Sequence, residues 1–214
     1  MLDKSIVCSA ISLMQEFHSA VQKTYNEFGL DLLDNLGRRN IVMSQAQEAF
    51  VAQQLQQRDI NAVCDGRVGA ADIYLPAFDR EIECKLTTRN RSGSIHLQAD
   101  YETLSKKGTQ DFLYFIADDE FEKFCVLYFE GLTCDDFFPP SPGSRNKSRV
   151  NKTTAMNKCQ VLTGKAIDMR KKNIERNLQK LVNCKTPTQV RKVTKSLDYW
   201  QRQGSRWKFQ LERL

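Results

Sequence analysis

Histidine is scarce in this chain. Only His18 and His96 are present, and none of the seven cysteines forms a Cys-x-x-Cys pair. A zinc site built from His and Cys is therefore not expected. The cysteines are odd in number and scattered, and Cys64, Cys84 and Cys125 sit inside apolar runs. They read as small core residues in a reducing compartment rather than as a disulfide framework. No apolar stretch approaches the about 18 residues that a membrane helix needs. The first residues, Met1-Leu2-Asp3-Lys4, lack the basic start and apolar stretch of a secretory signal. A cytoplasmic location is the expectation. There is no internal repeat.

What is present is the composition of a globular protein, 41% hydrophobic and 27% charged over 214 residues. That length can bury one sizeable core with a small appendage. The net charge of +6 hides an asymmetry. Residues 1–140 carry 13 Lys and Arg against 22 Asp and Glu, a net of −9. Residues 141–214 carry 19 against 4, a net of +15. A tail this basic suits a polyanion, with nucleic acid as the default; the plainer alternative is a solvated, lysine-rich helical face.

Residues 4–36 have helical spacing through Ile6, Ile11, Met14, Phe17, Val21, Tyr25 and Phe28, with a break at Gly29. Gly37 to Asn40 reads as polar punctuation. Ser44 and Gln47 fit a capping box that opens a second helix of about 15 residues. Glu48 then flanks the apolar stripe Val51, Ala52, Leu55. Ile60 to Cys64 reads as a strand, Asp65 to Gly69 as a turn, and Ala71 to Leu75 as another strand. Pro76 to Asp79 turns the chain into the strand Arg80 to Thr87. Gln98 to Lys107 is expected as a helix. Phe112 to Ala117 and Phe124 to Phe129 are expected as aromatic strands joined by Asp118-Asp119-Glu120. The prolines at 139, 140 and 142 mark the expected end of a core over 1–140. Residues 141–214 then form a basic extension: a loop at 145–158, a short strand at Cys159 to Leu162, and helices over 165–183 and 187–203.

The most informative residues are Asp72, Glu83 and Lys85. Side chains alternate along a strand, so Glu83 and Lys85 share one face while Ile82, Cys84 and Leu86 take the other. Two carboxylates and an ammonium would meet at the edge of a two-stranded unit. Hydrolysis of a phosphodiester needs a nucleophilic water, a Lewis acid and stabilisation of the departing oxygen, and magnesium can provide all three. Magnesium prefers carboxylate oxygens and keeps several waters. Asp72 and Glu83 would be ligands, with the Cys84 carbonyl as a further candidate. Lys85 would orient or deprotonate the water, or stabilise charge on the phosphate. Its pKa could move either way. Glu-x-Lys also recurs by chance, and Glu81, Glu83 and Lys85 fit a single solvated strand face. The Asp on the preceding strand, the apolar opposite face and the helix bearing Glu48 set this instance apart.

Together, Glu48 on a helix, Ala71-Asp72-Ile73 on a strand and Glu83-Cys84-Lys85 on the next resemble the PD-(D/E)xK nuclease superfamily, the fold of many type II restriction endonucleases. The resemblance covers residues 41–130. It implies an α/β core with a mixed four- to five-stranded sheet flanked by helices. It also implies Asp72 and Glu83 as metal-binding acids, Lys85 as the catalytic lysine, and Glu48 as the acid of the first core helix. Gln98 resembles a glutamine of some branches, and Glu81 is a possible accessory group. Ala71 stands where the name-giving proline would be. The implied activity is Mg2+-dependent DNA cleavage, with Mn2+ able to substitute, by an enzyme that a homodimer would equip to cut both strands. Expected DNA contacts are Arg38, Arg39, Arg67, Arg89, Arg91, Lys106, Lys107, Arg145, Lys147 and Arg149. The alternatives are a repair or junction-resolving nuclease of the same superfamily, a ribonuclease, or a non-catalytic DNA-binding protein.

Overall fold

The structure is a computed structural model that describes residues 2–64, 70–90 and 93–214. It is a mixed α/β protein that divides into two compact units. The first comprises residues 1–165 and 211–214, and the second comprises residues 166–210.

The first unit opens with two helices, α1 (Lys4–Glu27) and α2 (Leu36–Gln56). Asp3 caps α1 by accepting from the Ile6 amide, and the chain leaves it through Gly29 at a φ of +72°. Helix α2 starts earlier than Ser44. Asn35 caps it by accepting from the Arg38 amide, so Gly37 to Asn40 form its first turns instead of a break. Ser44 lies inside the helix and donates to the Ile41 carbonyl.

The strands follow as β1 (Ile73–Leu75), β2 (Arg80–Thr87) and β3 (Gln98–Asp100). Next come α3 (Tyr101–Lys107), β4 (Gln110–Ala117) and β5 (Lys123–Leu132). After β6 (Lys147–Arg149) and α4 (Lys152–Ala155) comes β7 (Cys159–Thr163). The second unit runs from β8 (Lys165–Asp168), whose first residue belongs to the first unit, through α5 (Met169–Val182) and α6 (Pro187–Arg202) to β9 (Trp207–Gln210). Strand β10 (Glu212–Arg213) closes the first unit.

Among the described residues the main sheet has six strands. Its order is β1-β2-β4-β5-β10, and β7 also pairs with β5. Pairing is mixed: β1 with β2 and β4 with β5 are antiparallel, while β2 with β4 is parallel. A parallel neighbour requires a crossover, which β3 and α3 supply. Several expectations for single segments change. Only Val63 of the expected strand at 60–64 bridges to Tyr74. Gln98 to Asp100 form a strand before the α3 helix, and β6 interrupts the expected loop at 145–158. Lys165 to Asp168 are a strand, not helix. The chain beyond Pro142 returns to the first unit, since β6 pairs with β3 and β7 joins β5.

The core follows from strand alternation. Ile82, Cys84, Leu113, Phe115 and Val126 meet Ile6, Ile11, Met14, Met43, Val51 and Leu55 from the two helices. Each such aliphatic side chain contributes about 1.5–3 kcal/mol on burial. The partners in register, Glu83 with Phe112 and Lys85 with Tyr114, therefore share the sheet face turned away from α1 and α2.

The second unit is a helical hairpin on a two-stranded base, β8 with β9. Asp168 caps α5, and a Thr186/Gln189 capping box with Pro187 starts α6. The Arg170 guanidinium donates to the Trp200 and Gln201 carbonyls and so satisfies the end of α6. Of the stripe Ile167, Ile174, Leu178 and Leu181, Leu178 is half exposed. No described helix is long and apolar enough to cross a membrane.

Candidate active site

Strand β1 is short, and it pairs only with Arg80, Glu81 and Ile82 of β2. From Glu83 onward, no described strand covers that edge of β2. The Cys84 amide on this open edge would lack a strand partner. Asp72, the residue just before β1, supplies one: its Oδ2 accepts from the Cys84 N–H at 2.7 Å. This bond fixes the carboxylate beside Glu83 and Lys85.

Lys85 Nζ donates to Glu83 Oε1 and lies 4.0 Å from Asp72 Oδ2. Gln110, almost fully buried on β4, donates from Nε2 to Glu83 Oε2 at 3.4 Å. Glu83 is thus held from two sides. The three side chains remain between a fifth and a third exposed, so solvent can reach them.

Glu48 approaches from helix α2. Burial, reinforced by the Asp72 and Glu83 charges, raises its pKa to about 7 against the pull of Lys85. Asp72 is also raised, first by burial and then by Glu83, with Lys85 and the Cys84 amide opposing. Lys85 is raised as well. Burial alone would lower it, but the Glu83 charge and hydrogen bond, aided by Asp72, outweigh that. The ammonium form is therefore secured at neutral pH.

The sequence did not reveal what Gln47 does. It is fully buried, and its Nε2 donates to the Leu113 carbonyl at 3.3 Å and reaches the Lys85 carbonyl at 3.5 Å. It spans β2 and β4 directly beneath the site and fixes the helix that carries Glu48. An amide one residue from an acid, on the apolar stripe of a helix, was the available signal. Gln110 gave a similar one, as the first of two polar residues, with Asp111, that open the apolar run of β4.

Glu81 pairs with Lys107, with Nζ 2.6 Å from Oε2, and takes no part in the Lys85 cluster. Lys106 pairs with Glu102 one helical turn away. Arg39 is a correction. It is completely buried, and its guanidinium donates to the Asp118 and Asp119 carbonyls and lies over the Phe121 ring. It stabilises the β4–β5 turn and is not available to DNA. Arg38, Arg89, Arg145, Lys147 and Arg149 are exposed. Arg67 and Arg91 lie outside the described residues, as does the expected turn at 65–69. Gln98 and Lys147 line a cavity of about 310 Å³ that also has Lys85, His96 and Tyr114 in its wall.

The donor chemistry suits a hard divalent cation. Asp72, Glu83 and Glu48 bring carboxylates together, and Asp72 and Glu48 resist ionisation first because of burial and then because of neighbouring negative charge. No three His, Cys, Asp or Glu groups among the described residues are already arranged to hold one ion. Magnesium does not require three, since one or two carboxylates and several waters suffice.

Comparison with known proteins returns no matching family model and no matching curated sequence.

Proposed function

We propose that the chain is a magnesium-dependent DNA endonuclease with a restriction-endonuclease-like core, acting as a type II restriction-type enzyme. The observation that carries this reading is the Lys85 ammonium held by Glu83 beside Asp72, whose carboxylate is fixed by the Cys84 amide. The mixed sheet supports it, because Glu83 and Lys85 come from β2 and Asp72 from the residue just before β1.

Asp72 and Glu83 would hold the ion, with Glu48 as a further ligand directly or through water. When bound, magnesium would supply Lewis acidity toward the phosphate and a more acidic water. Lys85 Nζ, kept protonated by its two carboxylates, offers a cation and a proton to a phosphate oxygen as charge develops there. Asp72 is oriented by the Cys84 amide and Glu83 by Gln110, so neither needs to reorganise. Cutting both strands takes two such sites, which a homodimer would provide.

Plasmid nicking tests the reading. Wild type should convert supercoiled DNA with Mg2+ or Mn2+ and not with EDTA, while Asp72→Asn and Lys85→Ala should not. A folded wild type that cuts no DNA with either ion would sink it, and preferential cutting of RNA would redirect it to a ribonuclease.

A further inference from the structure

The β3–β6 ribbon stands beside Lys85 with an unanswered polar face. Its register places Gln98 opposite Arg149, Ala99 opposite Ser148, and Asp100 opposite Lys147. Ala99 and Ser148 point inward and are buried, so Gln98, Arg149, Asp100 and Lys147 form the exposed row. Asp100 is occupied as the cap of α3, where it accepts from the Thr103 amide. The side chains of Gln98, Lys147 and Arg149 have no hydrogen-bond or ion-pair partner among the described residues. This contrasts with Lys85, Lys106 and Lys107, each paired with an acid. The cavity that holds Lys85 runs up to Gln98 and Lys147, and a second cavity of about 550 Å³ flanks the ribbon beyond Arg149.

A two-stranded ribbon fits the DNA major groove, which is about 12 Å wide. Arg pairs with the guanine edge, and Gln with the adenine edge, through two hydrogen bonds each. Lys147 carries a point charge, better suited to a phosphate.

We propose that the β3–β6 ribbon is the sequence-reading element, with Gln98 and Arg149 contacting base edges in the major groove beside the cut phosphate and Lys147 anchoring the backbone. The proposal rests on duplex DNA being the substrate.

The test selects duplexes from a randomised pool with full-length protein in calcium, which takes similar oxygen ligands. Cleavage ends are sequenced separately in magnesium. Wild type should enrich a short motif. Gln98→Ala and Arg149→Ala should each lose about tenfold discrimination at one or two positions, a larger change than either shows in affinity for unselected DNA. Lys147→Ala should weaken all sequences alike. The proposal fails if both variants keep the wild-type motif, or if wild type enriches none or binds no duplex. A motif that shifts as expected without any cleavage keeps the ribbon and sinks the nuclease reading. Cleavage at unchanged sequences by both variants does the reverse.

Discussion

The two compact units treat positive charge in opposite ways. The second unit holds 12 Lys and Arg against 3 Asp and Glu, a net of +9 in 45 residues. No ion pair among the described residues involves any of them. The first unit holds the remaining 20 against 23, a net of −3, and many of its cations are matched internally. Lys85 pairs with Glu83, Lys107 with Glu81, Arg80 with Asp111 and Glu130, and Lys158 with Asp136. Internal pairing fixes geometry. Unpaired charge stays available to an external polyanion. The boundary between the units therefore separates many cations held by acids of the fold from cations that have no ion-pair partner among the described residues.

The sharpest way to break this contrast is at the paired lysine. Lys85→Ala should lower the rate of DNA cleavage by about 10³-fold in single-turnover assays, the range for removal of a transition-state donor, while leaving DNA affinity within about threefold. An equal drop in both would make Lys85 an ordinary phosphate-binding residue.

Arg39 tests the internal side in terms of stability. Arg39→Ala removes a buried guanidinium and leaves two turn carbonyls unsatisfied, so urea denaturation should show a loss of about 3 kcal/mol. Arg38→Ala, at an exposed position, should stay within about 0.5 kcal/mol.

The external side calls for charge neutralisation rather than truncation. Removing residues 141–214 would also remove β6, β7 and β10 from the first unit. Replacing Lys171, Lys172, Arg176, Lys180, Arg191 and Lys192 with Gln keeps helix propensity nearly constant. The slope of log affinity against log salt should become shallower by about 0.9 for each phosphate that the unit no longer neutralises. An unchanged slope would take this unit off the DNA path.

The smallest effect concerns Glu48. Its folded pKa of about 7 lies above its ordinary value of 4.5, so the folded state favours the protonated form. The stability penalty is absent below pH 4.5, grows as pH rises, and is complete above pH 7. Melting temperature without divalent ions should fall across that window. Glu48→Gln should flatten the fall, and magnesium should reduce it in wild type but not in the variant.

Much of the site was legible because strand alternation is strict. Glu83 and Lys85 had to share a face, and Ile82 and Cys84 had to oppose them. Asp72 and Glu48 were legible as acids at the borders of apolar runs. The relation of Asp72 to Lys85 depended on β1 beginning only at Ile73, which local periodicity does not encode. Arg39 was misread because its partners are backbone carbonyls of a turn some 80 residues away, and carbonyls leave no trace in a sequence. Ser44 was misread because a cap residue inside a helix can satisfy its hydroxyl on the preceding turn. The ribbon was hidden because its two three-residue strands are far apart in the chain.

The parallel pairing of β2 with β4 also sets a timetable. Ile82 cannot find Asp111 until the intervening crossover has closed, whereas β4 and β5 meet across a short turn. Gln47 can dock only once both β2 and β4 are in place, because it reaches a carbonyl on each. The cleft is thus assembled late during folding. A chain still emerging from the ribosome, with its hairpin formed and its crossover open, carries every acid and the lysine but has not yet gathered them into one cleft.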